Sequence, residues 1–262
     1  MPADTRAPRA QVPAVEHRTS IWMYHSVASA DDDPYGITVE PERLDHQLRW
    51  LRERGLKGVG MSDLLRARTT GRGAGLVGLT FDDGYADFLD HALPLLQRYG
   101  FTATVFVLAG RLDGVNGWDP LGPRKRLLSL GGIRRIAAAG MEVGSHGLRH
   151  TRLTQLAPSE LHREVVESRT VLSHITDCVP PGFCYPYGEL NARVVEAVRA
   201  AGYSYACAIA PQPEHGIFAL PRIHISQADR SWRLRLKHRL QGTSRCAGAW
   251  QLPPGSDRGG RP

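Results

Sequence analysis

Leu76-Val77-Gly78-Leu79-Thr80-Phe81-Asp82-Asp83-Gly84-Tyr85 is the stretch on which the reading of this chain turns. Its apolar run, closing on Thr and Phe, has the composition of a buried strand, and Gly84 supplies the permissive backbone of a turn. Asp82 and Asp83 therefore stand at a strand's C-terminal end, the edge at which α/β folds bind their ligands. Side chains alternate along a strand, so two adjacent carboxylates point to opposite sides and can divide their labour, one on a metal and one toward a substrate. Taken alone, Asp-Asp-Gly reads as a turn more readily than as a site.

Beyond Gly84, residues 85–99 place Leu89, Leu93 and Leu96 on one helical face and stop at Gly100. Residues 101–108, FTATVFVL, are strongly β-prone. Strand, helix and strand in that order imply a parallel pair with a right-handed crossover. An irregular segment follows, centred on Asn116-Gly117-Trp118-Asp119-Pro120, then a helix over 127–139 and a short strand over 141–144. That strand delivers Ser145-His146-Gly147-Leu148-Arg149-His150. Two histidines four residues apart can share one face of a helical turn, a spacing that suits two imidazole ligands on one metal. In a chain with 11 histidines such a pair also arises by chance. One crossover apart, however, the Asp pair and the His pair form an Asp/His/His set on one sheet edge, suited to zinc or another borderline divalent ion.

Further on, residues 161–175 read as an amphipathic helix, and Tyr185-Pro186-Tyr187-Gly188 as a sharp turn whose backbone N–H can face an oxyanion. A helix over 191–201, a strand over 203–209, a strand-like segment over 217–225 interrupted by Pro221 and a basic helix over 232–240 complete the pattern. Toward the N-terminus, Leu44, Leu48 and Leu51 mark a helix capped by Gly55, residues 59–61 a short strand, and Ser62-Asp63 an N-cap. Asp31, Asp32 and Asp33 lie in a loop without calcium-loop spacing, and the glycines of 69–75 lack the pattern of a phosphate cradle. Ile21-Trp22-Met23-Tyr24 is a first buried strand that delivers His25 to the same edge as the Asp pair.

With 262 residues and 42% hydrophobic content the chain can bury one sizeable α/β core. We expect a leader over 1–19, one domain over 20–240 and a loose tail over 241–262. The net charge of +7 is spread along the chain and no basic stripe is interleaved with aromatics, which argues against a nucleic-acid binder. No apolar run approaches the roughly 18 residues of a membrane span, and residues 1–20 lack an apolar signal core, so a cytoplasmic location is expected. The four cysteines form no Cys-x-x-Cys pair and read as reduced thiols.

Thr80-Phe81-Asp82-Asp83-Gly84, Gly144-Ser145-His146-x3-His150 and Tyr185-Pro186-Tyr187-Gly188 resemble, in order and spacing, the successive motifs of polysaccharide deacetylases with the NodB-homology domain, carbohydrate esterase family 4. The resemblance covers roughly residues 20–226 and implies a distorted (β/α) barrel of the seven-strand type. It implies a hydrolase that removes N-acetyl groups from an amino-sugar polymer, oligomer or glycoconjugate, with a divalent metal, zinc above cobalt or nickel. Carried over residue by residue, Asp82 resembles the general base, and Asp83, His146 and His150 the metal ligands. Met23-Tyr24-His25-Ser26-Val27 resembles the N-terminal motif of a permuted subgroup, which makes His25 the candidate acid ahead of His224. Tyr85, Trp118, Tyr185 and His224 are candidate substrate contacts, and Tyr187 offers the oxyanion N–H. Two departures stand out. Gly147 replaces a Ser or Thr and is expected to loosen the ligand loop, and Tyr185 stands where many members have an Arg that lowers the base's pKa. O-deacetylation, hydrolysis of a small amide, an inactive carbohydrate-binding homologue, or polyanion binding through the basic C-terminal helix are the alternatives.

Overall fold

The computed structural model describes residues 20–241, so the expected leader and nearly all of the expected tail lie outside the described residues. In chain order the elements are β1 (Ser20–Tyr24), β2 (Ser26–Val27), β3 (Thr38–Val39), α1 (Pro41–Arg52), β4 (Lys57–Val59), α2 (Met61–Thr69), β5 (Leu76–Phe81), α3 (Leu93–Tyr99), β6 (Thr104–Val107), α4 (Leu130–Ala138) and β7 (Glu142–Ser145). They continue with α5 (Pro158–His162), α6 (Ser168–Thr176), β8 (Gly182–Cys184), α7 (Ala192–Ala200), β9 (Tyr205–Cys207), β10 (Ile223–His224) and α8 (Ser231–Gln241). No helix among the described residues is long and apolar enough to cross a membrane.

Eight strands form one sheet in the order β10-β1-β5-β6-β7-β8-β9, with β4 pairing β5 as well, and every pairing is parallel. Parallel sheets are covered on both faces, which is why β1 is buried at all five residues. The two edges of the curled sheet are linked by one stretch: Leu220 bridges to Cys207 of β9, and Ile223 and His224 pair with Trp22 and Met23 of β1. This is the expected (β/α)-barrel architecture.

Alternation sorts the side chains. Trp22 and Tyr24 of β1 and Val77, Leu79 and Phe81 of β5 pack outward with Leu44, Leu48 and Leu96 in one core cluster. Gly78, Thr80 and Asp82 share the other face, the barrel interior. A Cβ on interior Gly144 would come within 2.5 Å of the Phe106 ring, so the glycine makes room for a large neighbour.

Several boundaries differ from expectation. The N-cap of α2 is Gly60 rather than Ser62-Asp63. The β-prone run 101–108 contributes only Thr104–Val107, and of 217–225 only Ile223–His224 is strand. The expected helix over 127–139 starts at Leu130, because Leu127 and Leu128 pair instead with Tyr85 and Gly84.

Candidate active site

The C-terminal ends of β1, β5, β7 and β8 bring the chemistry together. The strand β5 stops at Phe81, and Asp83 takes a left-handed conformation (φ 70°) ahead of Gly84 (φ 68°). The turn, not the strand pleat, therefore parts the two carboxylates. Asp82, whose N–H donates to the Tyr24 carbonyl at 2.9 Å, faces into the barrel. Asp83 faces the histidines: its Oδ1 lies 3.2 Å from His146 Nε2 and 3.4 Å from His150 Nε2.

These histidines are not on a helical turn. His146 follows β7 directly, and His150 closes a loop in a left-handed conformation (φ 59°). Buried Glu164 holds that loop from below, accepting from Leu148 N at 2.7 Å, Arg149 N at 3.2 Å and Arg149 Nε at 2.9 Å. Gly147 is the residue the turn requires (φ +83°), and a Cβ there would sit 3.1 Å from Glu164 Oε2. The glycine expected to loosen the loop is thus part of what fastens it. Of the five described non-glycine residues with positive φ, three are Asp83, His150 and Tyr187, so backbone strain of about 1–3 kcal/mol each concentrates at the site.

The donor set fits a cation. His146 Nδ1 donates to the Cys184 carbonyl at 2.8 Å, which directs Nε2 at Asp83. Burial would lower the His146 pKa, but Cys184, Asp83 and Asp82 raise it well above the ordinary value, so a metal binding here displaces a proton. Asp83 Oδ1 is buried without a hydrogen-bond partner. Burial lowers the pKa of His150 to about 4 despite Asp83, so this imidazole is neutral at neutral pH. The Asp83 carboxyl is held well below the usual range: burial would raise it, but His150 and His146 outweigh that. Ligand atoms of Asp83, His146 and His150 lie within 4.8 Å of one another, all buried. Two imidazole nitrogens and a carboxylate oxygen converging in this way suit a divalent metal with open positions.

Asp82 has a different partner. Arg222 Nη1 and Nη2 donate to its Oδ1 and Oδ2 at 2.6 and 2.8 Å, and Nη1 also donates to Thr80 Oγ1 at 3.1 Å. Burial would raise the Asp82 pKa, but this guanidinium brings it below the ordinary value. Cys184 Sγ, 3.1 Å from Arg222 Nη2, also donates to Asp82 Oδ2 at 3.5 Å. Asp82, His146 and Cys184 also lie close enough to hold a metal, yet the fixed guanidinium already occupies that corner as its cation. His25 Nε2 lies 4.0 Å from Asp82 Oδ2. The segment after His25 is pinned by Asp87, which accepts from Ser26 Oγ at 2.5 Å and from Val27 N at 3.1 Å.

The family profile described as polysaccharide deacetylase matches residues 70–206, more than half of the chain. The chain belongs to the polysaccharide deacetylase family. Among curated relatives, YxkH of Bacillus subtilis is 25% identical over 233 residues, covering 82% of this chain and 78% of YxkH. The poly-beta-1,6-N-acetyl-D-glucosamine N-deacetylase of Escherichia coli (strain K12) is 24% identical over 237 residues, 77% of this chain. The chain spans only 35% of that relative's length. The Streptococcus pyogenes deacetylase PplD, solved in complex with acetate, superposes with a TM-score of 0.74 at 23% identity, over 84% of this chain and 97% of PplD. IcaB from Ammonifex degensii superposes with a TM-score of 0.70 at 22% identity, over 85% of this chain and 97% of IcaB. At these identities the structural likeness shows the shared deacetylase fold.

On that fold the structure unites Asp82, Asp83, His146, His150 and His25. Trp118 stacks on the His150 ring (4.7 Å, 22°) and Tyr187 meets it edge-on (4.4 Å), so both line the site. Tyr85 is buried beneath the loop that carries Trp118 and accepts from Asn116 Nδ2 at 3.5 Å, which makes it a support rather than an open substrate contact. His224 lies beside His25, with ring centroids 6.0 Å apart. Tyr185 does not join them: it is buried in a core cluster, and its hydroxyl donates to the Phe218 carbonyl at 2.8 Å. Alternation along β8 turns Cys184, not Tyr185, toward Asp82. With Tyr185 turned away, the arginine that pairs with Asp82 is Arg222, from the link between β9 and β10. Sequence reasoning passed over Arg222, Glu164 and Asp119. Asp119, next to Trp118, is hydrogen-bonded to Tyr85, and burial followed by the field of Asp83 raises its pKa.

Proposed function

We propose that this deacetylase-family hydrolase removes N-acetyl groups from an amino-sugar oligo- or polysaccharide, using a divalent metal, zinc by preference, held by Asp83, His146 and His150. The observation that carries the reading is Asp82, gripped by Arg222 and 4.0 Å from His25, beside the Asp83, His146 and His150 set. The nitrogen and oxygen donors favour zinc, with cobalt and nickel as substitutes. When bound, the ion supplies Lewis acidity toward the acetamide carbonyl and the attacking water.

The chain's own residues do the rest. Asp82, kept ionised by Arg222, accepts the proton of the attacking water. The developing oxyanion is met by the N–H of Tyr187. His25 protonates the amine, a poor leaving group until it carries that proton. Trp118 and Tyr187 offer aromatic faces to a sugar ring, and the Asp119 carboxylate accepts from a sugar hydroxyl. The E. coli relative's name, a poly-N-acetylglucosamine N-deacetylase, supports the substrate class.

The test is acetate release from N-acetylglucosamine oligomers, alongside O-acetylated sugars and small acetamides, in protein loaded with zinc, cobalt or nickel. Release from the N-acetyl oligomers supports the proposal. Turnover confined to esters would replace it with O-deacetylation, and glycan binding without acetate release would leave a binding homologue.

A further inference from the structure

The helix α8 takes no part in the site, and its sequence, SWRLRLKHRLQ, holds three arginines, one lysine and no acid. One face fastens it to the barrel. Leu234 is fully buried, and Lys237 Nζ donates to Asp229 Oδ2 at 2.6 Å and to the His224 carbonyl at 2.7 Å. Arg233 pairs with Asp229 at 3.5 Å, and the His238 ring meets Trp50 edge-on. The opposite face carries Trp232, Arg235, Leu236 and Arg239, at the i, i+3, i+4, i+7 spacing of one helical stripe. All four are exposed, Trp232 at 67% and Leu236 at 51%. Arg233 and Lys237 share an acid, whereas Arg235 and Arg239 have no acidic partner among the described residues.

We infer that this stripe docks α8 flat on an anionic lipid surface. An indole and a leucine flanked by guanidinium groups match such a boundary in both respects: the apolar groups enter below the headgroups and the arginines meet the phosphates. Charge decides against the other occupants. A second copy would present the same cations, and the chain beyond Gln241 brings Arg245, Arg258 and Arg261 against Asp257 alone. A soluble polyanion would use the arginines but leave Trp232 and Leu236 in water. Two apolar side chains bury little area, so the docking is reversible and weakens with salt. Through Lys237 the helix is fixed to the strand that ends on His224, beside His25.

The experiment is cosedimentation of the full chain with vesicles of phosphatidylcholine, with and without phosphatidylglycerol. Binding is expected only with phosphatidylglycerol and is lost at high salt. A Trp232→Ser/Leu236→Ser variant should bind about tenfold more weakly. An Arg235→Glu/Arg239→Glu variant should not bind, while acetate release from a soluble oligosaccharide stays unchanged in both. No binding to the anionic vesicles, or binding unaffected by Trp232→Ser/Leu236→Ser, overturns the inference. So does retention on heparin that exceeds vesicle binding and ignores Trp232 and Leu236, which would assign the stripe to a soluble polyanion.

Discussion

Arg222 holds both carboxylate oxygens of Asp82, at 2.6 and 2.8 Å, from a position 140 residues further along the chain. Fork-on-fork pairing of this kind combines charge with orientation. In Arg222→Met, Asp82 keeps its burial and its like-charged neighbour Asp83 but loses the counter-charge. Its pKa then moves from below the ordinary carboxyl value to above it. A base works only when ionised, so the acidic limb of the pH–rate profile should shift to higher pH, with activity down by about 10- to 100-fold. Arg222→Lys restores the charge without the fork and should fall between. A limb that stays in place in Arg222→Met would show that Asp82 is not the titrating base.

Removing the metal should abolish turnover, and restoring zinc should recover it. Because the buried donors converge only in the folded chain, a metal at a hundred times its Kd should also stabilise the fold by about 2.7 kcal/mol. The readout is a rise in Tm on metal addition, absent in Asp83→Asn. An equal rise in that variant would place the ion elsewhere.

Both His25 and His224 border the site, but they are not equivalent. Burial, then the neighbouring His25, lowers the pKa of His224 to about 4, so at neutral pH it is uncharged and has no proton to give as an imidazolium. His25→Ala and Asp82→Asn should each cost about 100- to 10,000-fold in kcat, and His224→Ala less than about tenfold. Steady-state kinetics on one oligomer decide this, and a collapse in His224→Ala alone would reverse the assignment.

Glu164 holds the loop between His146 and His150, the proposed metal ligands. Glu164→Ala strips three hydrogen bonds from residues 148 and 149 and should weaken zinc affinity by about 10- to 100-fold, measured by competition with a chelating dye. Gly147→Ala forces a side chain into the left-handed region and should cost about 1–2 kcal/mol of stability by denaturant titration.

What the sequence made legible is whatever sits in contiguous motifs at strand ends. Asp82 and His25 directly follow apolar strands and His146 directly follows β7, so strand logic delivers them to one edge, and Asp83 and His150 come with the turn and the loop that follow. The way the two carboxylates part was misread, because the strand ends one residue before Asp82 and a left-handed Asp83 makes the turn. Arg222 was illegible for another reason. It lies between Pro221 and a strand only two residues long, and its partner is distant in sequence, so no local period marks it. Tyr185 misled through register: a shift of one residue along β8 exchanges the barrel interior for the outer core.

The stretch that links the sheet's two edges carries Arg222, and the strand at the other side of that seam delivers His25. A nascent chain has the Asp82 and Asp83 pair, His146 and His150 well before residue 222 is made, yet until then Asp82 lacks the guanidinium that lowers its pKa in a buried setting. If Asp82 is the base, full hydrolytic competence then waits for the stretch that closes the seam, so the chain's topology itself delays its activity.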